Sequence, residues 1–129
     1  YVPTNGGTLF ALDRATGATR WQIELPGPTW QSPVVVDDVL IQGDCNGVLH
    51  GYDVSNTAVA PPELWTVELG GCIESTPAVW RGRIFVGTRA GQVHAIGDPN
   101  APYPAPPPTT APAPAAPATS TTVPGTPAP

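Results

Sequence analysis

The chain has 129 residues, a formal net charge of −5, 19 prolines, 14 glycines, two cysteines and no methionine. That acidic balance argues against nucleic acid as a partner, since such a partner calls for a basic face, and no run approaches the roughly 18 apolar residues that a membrane helix requires. All five basic residues, each an arginine, and all ten acidic ones lie within residues 1–98.

In chain order, Tyr1-Val2 reads as the end of a strand. Leu9 to Asp13 alternates as a half-buried strand does, and Asp13-x-x-Thr16-Gly17 is turn chemistry. There the Asp13 carboxylate can accept backbone N–H groups two and three residues on, and Gly17 can take the positive φ that closes the turn. Trp21 to Leu25 places Trp, Ile and Leu on one face and Gln and Glu on the other, the pattern of an edge strand with its charges outward. Pro33 to Val36 is apolar throughout and predicts a strand buried on both faces. Asp37-Asp38 is a tight turn into Val39–Gly43, and Gly47 to Asp53 follows. A Pro-rich loop then leads to Trp65–Leu69. Pro77–Trp80, the turn Arg81-Gly82, Arg83–Gly87 and Gln92–Ile96 complete the ordered part.

These segments repeat. Trp21 and Trp65, Pro33 and Pro77, and Gly43 and Gly87 are each 44 residues apart, whereas Asp13 and Asp53 are 40 apart, so the second copy carries four extra residues in its Pro-rich loop. A period of about 40 to 45 residues with four short strands is the size of one β-propeller blade. The chain therefore reads as all-β, a partial propeller of about two four-stranded antiparallel blades over residues 1–98. Residues 99–129, almost entirely Pro, Ala and Thr, read as a disordered tail.

The pattern Ala11-x-Asp13-x-x-Thr16-Gly17-x-x-x-Trp21, echoed by Asp53 and Trp65, resembles the repeat of the PQQ-like (pyrroloquinoline-quinone-type) propellers. That family includes quinoprotein alcohol dehydrogenases, an outer-membrane assembly lipoprotein of Gram-negative bacteria, and sensor domains of some bacterial receptor kinases. The resemblance implies the fold; function has to be argued from sites. Because Tyr1-Val2 aligns with Ile41-Gln42, the sequence is expected to be the C-terminal part of a longer chain. The last blade counts only three strands. Its fourth is expected from the missing N-terminal blades, because the tail has too many prolines to donate a ladder of hydrogen bonds.

Trp21 and Trp65 hold the repeat's aromatic position and are expected to pack between blades. His50 and His94 stand where the first copy has Phe10, so they are read as packed residues and not as metal ligands. No Cys-x-x-Cys spacing, Gly-x-Ser-x-Gly elbow or phosphate-cradling loop is present, and no catalytic residue or metal site is assigned. The loops entering the innermost strands are the better candidates, since those strands line a propeller's channel. There Trp30, Gln31, Glu74 and Ser75 are candidate ligand contacts: Trp30 aligns with Glu74 and Gln31 with Ser75, and both pairs differ between copies. In the quinone-dependent dehydrogenases that the repeat resembles, an aromatic ring stacks on the cofactor and acidic or amide groups hold Ca²⁺. One Trp and one Glu fall short of that set. Cys45 and Cys72 lie in loops that emerge at the same end of a blade, and a disulfide between them is expected in an extracytoplasmic protein.

The function expected from the sequence is a non-catalytic binding or scaffold module of a bacterial, secreted or cell-surface propeller, with no cofactor of its own. Its expected partner is a protein or small molecule at the propeller face. The alternatives are part of a quinoprotein dehydrogenase with PQQ and Ca²⁺, or the sensor propeller of a receptor kinase.

Overall fold

The computed structural model describes residues 1–98 and Asn100, and the expected tail falls on residues outside those described. Ten strands and no helix make up the described chain: β1 (Val2–Pro3), β2 (Thr8–Leu12), β3 (Thr19–Glu24), β4 (Val34–Val36), β5 (Val39–Gly43), β6 (Val48–Asp53), β7 (Glu63–Glu68), β8 (Ala78–Trp80), β9 (Arg83–Thr88) and β10 (Gln92–Ile96). They group into three antiparallel sheets of order β1-β2-β3, β4-β5-β6-β7 and β8-β9-β10. One blade is complete and two have three strands. The sequence repeat, counted from Gly7, straddles these sheets, so two passages of the repeat do not give two whole blades.

Register carries the repeat into space. Val2 faces Phe10 as Gln42 faces His50 and Val86 faces His94, which places Tyr1-Val2 where the alignment with Ile41-Gln42 puts it. Loop hydrogen bonds recur as well: Leu25 N donates to Gly7 O at 2.7 Å and Leu69 N to Gly47 O at 2.8 Å, while Cys45 N donates to Pro28 O at 2.8 Å and Arg89 N to Cys72 O at 2.9 Å. Each of the latter two bonds ties the loop entering one blade to the hairpin of that same blade.

The hairpin turns follow from residue chemistry. Asp37 and Asp38 both have positive φ, as do Arg81 and Gly82, the mirror-image geometry that matches a two-residue turn to the twist of its strands. At the Asp13 turn, Asp13 Oδ1 accepts from Ala15 N at 3.0 Å, Thr16 N at 2.9 Å and Thr16 Oγ1 at 2.9 Å, and Gly17 has φ 73°. Arg20 adds an ion pair of 2.7 Å. At the Asp53 turn the donors are those of Ser55, whose N lies 2.9 Å from Asp53 Oδ1.

Two apolar cores lie between the sheets. Leu9, Ala11, Trp21 and Leu25 meet Leu40, Tyr52 and Val54 between the first and second sheets. Ile41, Leu49, Ile73 and Val86, with Trp65 and Ile84 against them, fill the space between the second and third. Each fully buried aliphatic side chain here is worth about 1.5–3 kcal/mol of transfer free energy. Trp21 lies in the first of these cores and Trp65 against the second, and β3 and β7 alternate as half-exposed strands.

The strands β4 and β8 differ from expectation. They are not buried on both faces: Val35 is 44% exposed and Trp80 50%. Val35 shares a face with its partner Leu40, and that face looks toward the first sheet, which has no strand opposite β4. Trp80 lies on the face of the third sheet that no further sheet covers among the described residues.

Candidate functional site

The connections Leu25–Pro33, Asp44–Gly47, Leu69–Pro77 and Arg89–Gly91 emerge at one end of the molecule. Glycines let them approach closely: a Cβ on Gly47 would lie 2.8 Å from Gly71 N and one on Gly71 would lie 2.9 Å from Ala90 N. Cys45 and Cys72 are joined in a disulfide across this end, 27 residues apart in sequence. Below it, Asp44 is wholly buried. Asp44 Oδ1 accepts from Asn46 N and Val48 N, both at 3.0 Å, and Asp44 O accepts from Ile73 N at 3.0 Å.

The four candidate residues sit on this end in two different ways. Gln31 and Ser75 are carried to equivalent glycines, Gly43 and Gly87. Ser75 Oγ donates to Gly87 O at 2.9 Å and accepts from Gly87 N at 2.8 Å, closing the loop onto β9. Gln31 lies against Gly43, and a Cβ there would collide with its Nε2. Gln31 is 2% exposed, and both its amide atoms lack a hydrogen-bond partner. Trp30 is 54% exposed. Glu74 pairs with Arg89 at 3.4 Å, and these two, with Ser75, Gly87 and Thr88, line an open hollow of about 250 Å³.

A buried polar cluster that sequence reasoning misses adjoins this end. His50, 2% exposed, has Nδ1 2.7 Å from Glu63 Oε1 and Nε2 3.4 Å from Asp44 Oδ2, and its ring stacks on Tyr52 at 5.9 Å. Burial, then the negative charge and hydrogen bond of Glu63, then Asp44, push the Tyr52 phenol well above its usual range. Next to it, Gln42 Nε2 donates to Thr29 Oγ1 at 2.7 Å and to Gly43 O at 2.8 Å. Only the acids that share His50's face could have signalled the cluster, and their pairing depends on the bulge that sets Glu63 opposite Tyr52.

His50 is enclosed between its carboxylates. The group of potential metal ligands formed by Cys45, Cys72 and Glu74 has its two sulfurs spent on each other. A ring, an ion pair and an open hollow on a disulfide-pinned end suit the surface of another molecule.

Comparison with known proteins agrees with the blade geometry. A family model described as outer membrane protein assembly factor BamB (PQQ_2) matches residues 1–60. The crystal structure of BamB from Moraxella catarrhalis superposes with a TM-score of 0.61 at 30% identity, over 74% of this chain and 29% of that one. The repeats are those of the PQQ-like β-propeller family. Among curated proteins, outer membrane protein assembly factor BamB of Yersinia pestis is 32% identical over 101 residues, 74% of this chain and 25% of that protein. The factor of the same name from Moranella endobia is 30% identical over 104 residues. The chain therefore spans about a quarter of the length of these relatives, and what they share with it as PQQ-like propeller chains is the blade.

Proposed function

We propose that the chain is part of a non-catalytic, extracytoplasmic scaffold propeller of a bacterial envelope, and that its disulfide-pinned loop end, with Trp30 and Glu74, is the surface that meets another polypeptide. The observation that carries this reading is the contrast between the loops and what lies under them. Strand register and loop hydrogen bonds repeat from copy to copy, whereas the residues at the loop tips change in kind, from an exposed indole to a carboxylate paired with Arg89. Residues that vary on a repeated frame are where recognition resides. An exposed Trp is the side chain most enriched at binding hot spots, and a disulfide that fixes the loops reduces the ordering that binding requires. The disulfide also suits an oxidising compartment, and the relatives' name, an assembly factor of the outer membrane, agrees with envelope location and with a protein partner. Under this reading no cofactor takes part.

Photocrosslinking residues placed at positions 30 and 74, with one at position 59 on the opposite end as the control, test the surface. A polypeptide adduct in the bacterial envelope from 30 and 74 but not from 59 is expected. Equal labelling from all three positions, or none from 30 and 74, would remove the loop end as the interface. Turnover of simple alcohols with added PQQ and Ca²⁺, followed by dye reduction, would overturn the non-catalytic reading in favour of a quinoprotein dehydrogenase.

A further inference from the structure

One group of side chains at the loop end is not accounted for by the blade repeat. Cys45 stands in the hairpin between β5 and β6, Cys72 in the loop entering the third sheet, and Glu74 two residues further on. Their ligand atoms, two Sγ and one carboxylate oxygen, all lie within 4.8 Å of one another. The repeat supplies none of the three elsewhere: 44 residues on from Cys45 is Arg89, and 44 back from Cys72 and Glu74 are Pro28 and Trp30.

Backbone bonds set where the two cysteines stand. Cys45 N donates to Pro28 O at 2.8 Å, and the same bond recurs one blade on from Arg89 N to Cys72 O at 2.9 Å, at a place where the hairpin has no cysteine. Ile73 N donates to Asp44 O at 3.0 Å, while Asn46 N and Val48 N donate to Asp44 Oδ1. None of these bonds involves sulfur, so reduction leaves two thiols facing each other on a frame that is held on both sides.

We propose that reduction of the Cys45–Cys72 disulfide turns the loop end into a site for a borderline-soft divalent metal ion of the zinc class, held by the two thiolates and the Glu74 carboxylate. A dithiol supplies the electrons: one of its thiolates attacks a cysteine sulfur, its second thiol resolves the mixed disulfide, and it departs as a disulfide while both cysteines are left as thiols. Binding of the ion then releases the two thiol protons to solvent. Two Zn–S bonds of about 2.3 Å at a tetrahedral angle put the sulfurs about 3.8 Å apart, inside the spread of the three ligand atoms. Thiolates select such ions over magnesium and calcium, and three protein ligands leave the fourth position to water. Arg89, 3.4 Å from Glu74, works against the ion, because it competes for the carboxylate and repels a cation. The disulfide and the ion exclude each other, so the loops are pinned covalently when oxidised and through the metal when reduced and loaded. The site belongs to these three residues whether or not the loop end meets a polypeptide.

Co²⁺ is the probe, added to the intact 1–129 chain after reduction with a phosphine and removal of the reductant under nitrogen. Near-ultraviolet thiolate-to-cobalt absorption at one ion per chain is expected from the reduced chain and none from the oxidised one, with Zn²⁺ displacing the cobalt and Mg²⁺ leaving it in place. Glu74→Gln should weaken Co²⁺ binding about tenfold, and Arg89→Gln should strengthen it several-fold. A reduced chain that had merely unfolded would bind cobalt through its thiols without sensing either substitution, so equal affinity of both variants and the unmodified chain overturns the proposal. Absence of the absorption from the reduced chain overturns it as well, and so does equal binding by the oxidised chain, which would place the ion elsewhere. Each of these results stands apart from the crosslinks at positions 30 and 74.

Discussion

The second and third sheets are built from strands 44 residues apart with matching registers, and they differ in how fully their polar groups are paired. In the second, His50 lies between Asp44 and Glu63, and the ring of Tyr52 closes over it. In the third, His94 and Thr88 each leave a buried atom without a partner. At the loops the difference runs the other way: Ser75 is bonded to Gly87 at both its donor and its acceptor, whereas Gln31, at the matching place, bonds to nothing. A repeat keeps backbone placement first. Which side chains then find partners depends on what lies on the neighbouring strand or sheet, and that is where copies of one unit acquire separate roles.

The largest effect should come from exchanging each histidine for the residue of the first copy. His50→Phe leaves Asp44, which is fully buried, facing a ring where it had an imidazole, and losing one member of a buried pair in this way costs about 3 kcal/mol. His94→Phe removes a ring nitrogen that is already unpaired, so the stability of the 1–129 chain should change by no more than about 0.5 kcal/mol, or rise. Chemical denaturation of both variants measures this directly. Similar losses in the two would show that His94 has a partner of its own within the chain and would break the comparison.

The strands, turns and disulfide pairing are legible in the sequence because they depend on local chemistry and on a repeat that can be checked by subtraction. The Asp13 turn is readable to the individual hydrogen bond, since two backbone donors and one positive φ fix it. The Cys45–Cys72 bond follows from strands that alternate in direction. The cluster at His50 is not legible. A histidine aligned with a phenylalanine reads as packing, and only the register shift between Gly51 and Tyr52 brings Glu63 to the ring. Burial of β4 and β8 escapes sequence reasoning for a related reason. Apolar residues on both faces indicate what a strand can bury, and the neighbouring sheet decides whether it does. Of the candidate site, the loop end and its variable positions can be located from sequence, but nothing in the residues signals that Gln31 is buried and Trp30 exposed.

An intermediate effect is expected at the two matching loop residues. Ser75→Ala removes both bonds to Gly87 at a largely exposed position and should cost about 1 kcal/mol. Gln31→Met keeps the shape of the side chain and removes two unpartnered buried atoms, so it should leave stability unchanged or raise it by up to about 1 kcal/mol. Thermal unfolding of the pair sharpens the contrast between the loops. Destabilisation by Gln31→Met would mean that the amide is engaged and that the two loops are more alike than they look.

The smallest effect separates the Asp13 turn from its copy at Asp53, and its sign follows from the protonation states. The Arg20 guanidinium first, then the Thr16 and Ala15 donors, hold the Asp13 carboxyl well below the usual carboxylate range. Asp53 is lowered through Ser55 alone. A carboxylate with a depressed pKa in the folded state contributes stability that is fully present above its unfolded value, near pH 4, and is lost as pH falls toward the folded value. Both side chains are partly open to solvent, so screening keeps the contribution small. Asp13→Asn should therefore flatten the decline of stability below about pH 4, and Asp53→Asn should flatten it less, with neither changing the slope between about pH 6 and 8. Urea midpoints measured across that acid range decide the point. If Asp53→Asn flattened the curve as much as Asp13→Asn, the added donors and the Arg20 ion pair of the first turn would contribute nothing, and the two copies would be equivalent there despite their different loops.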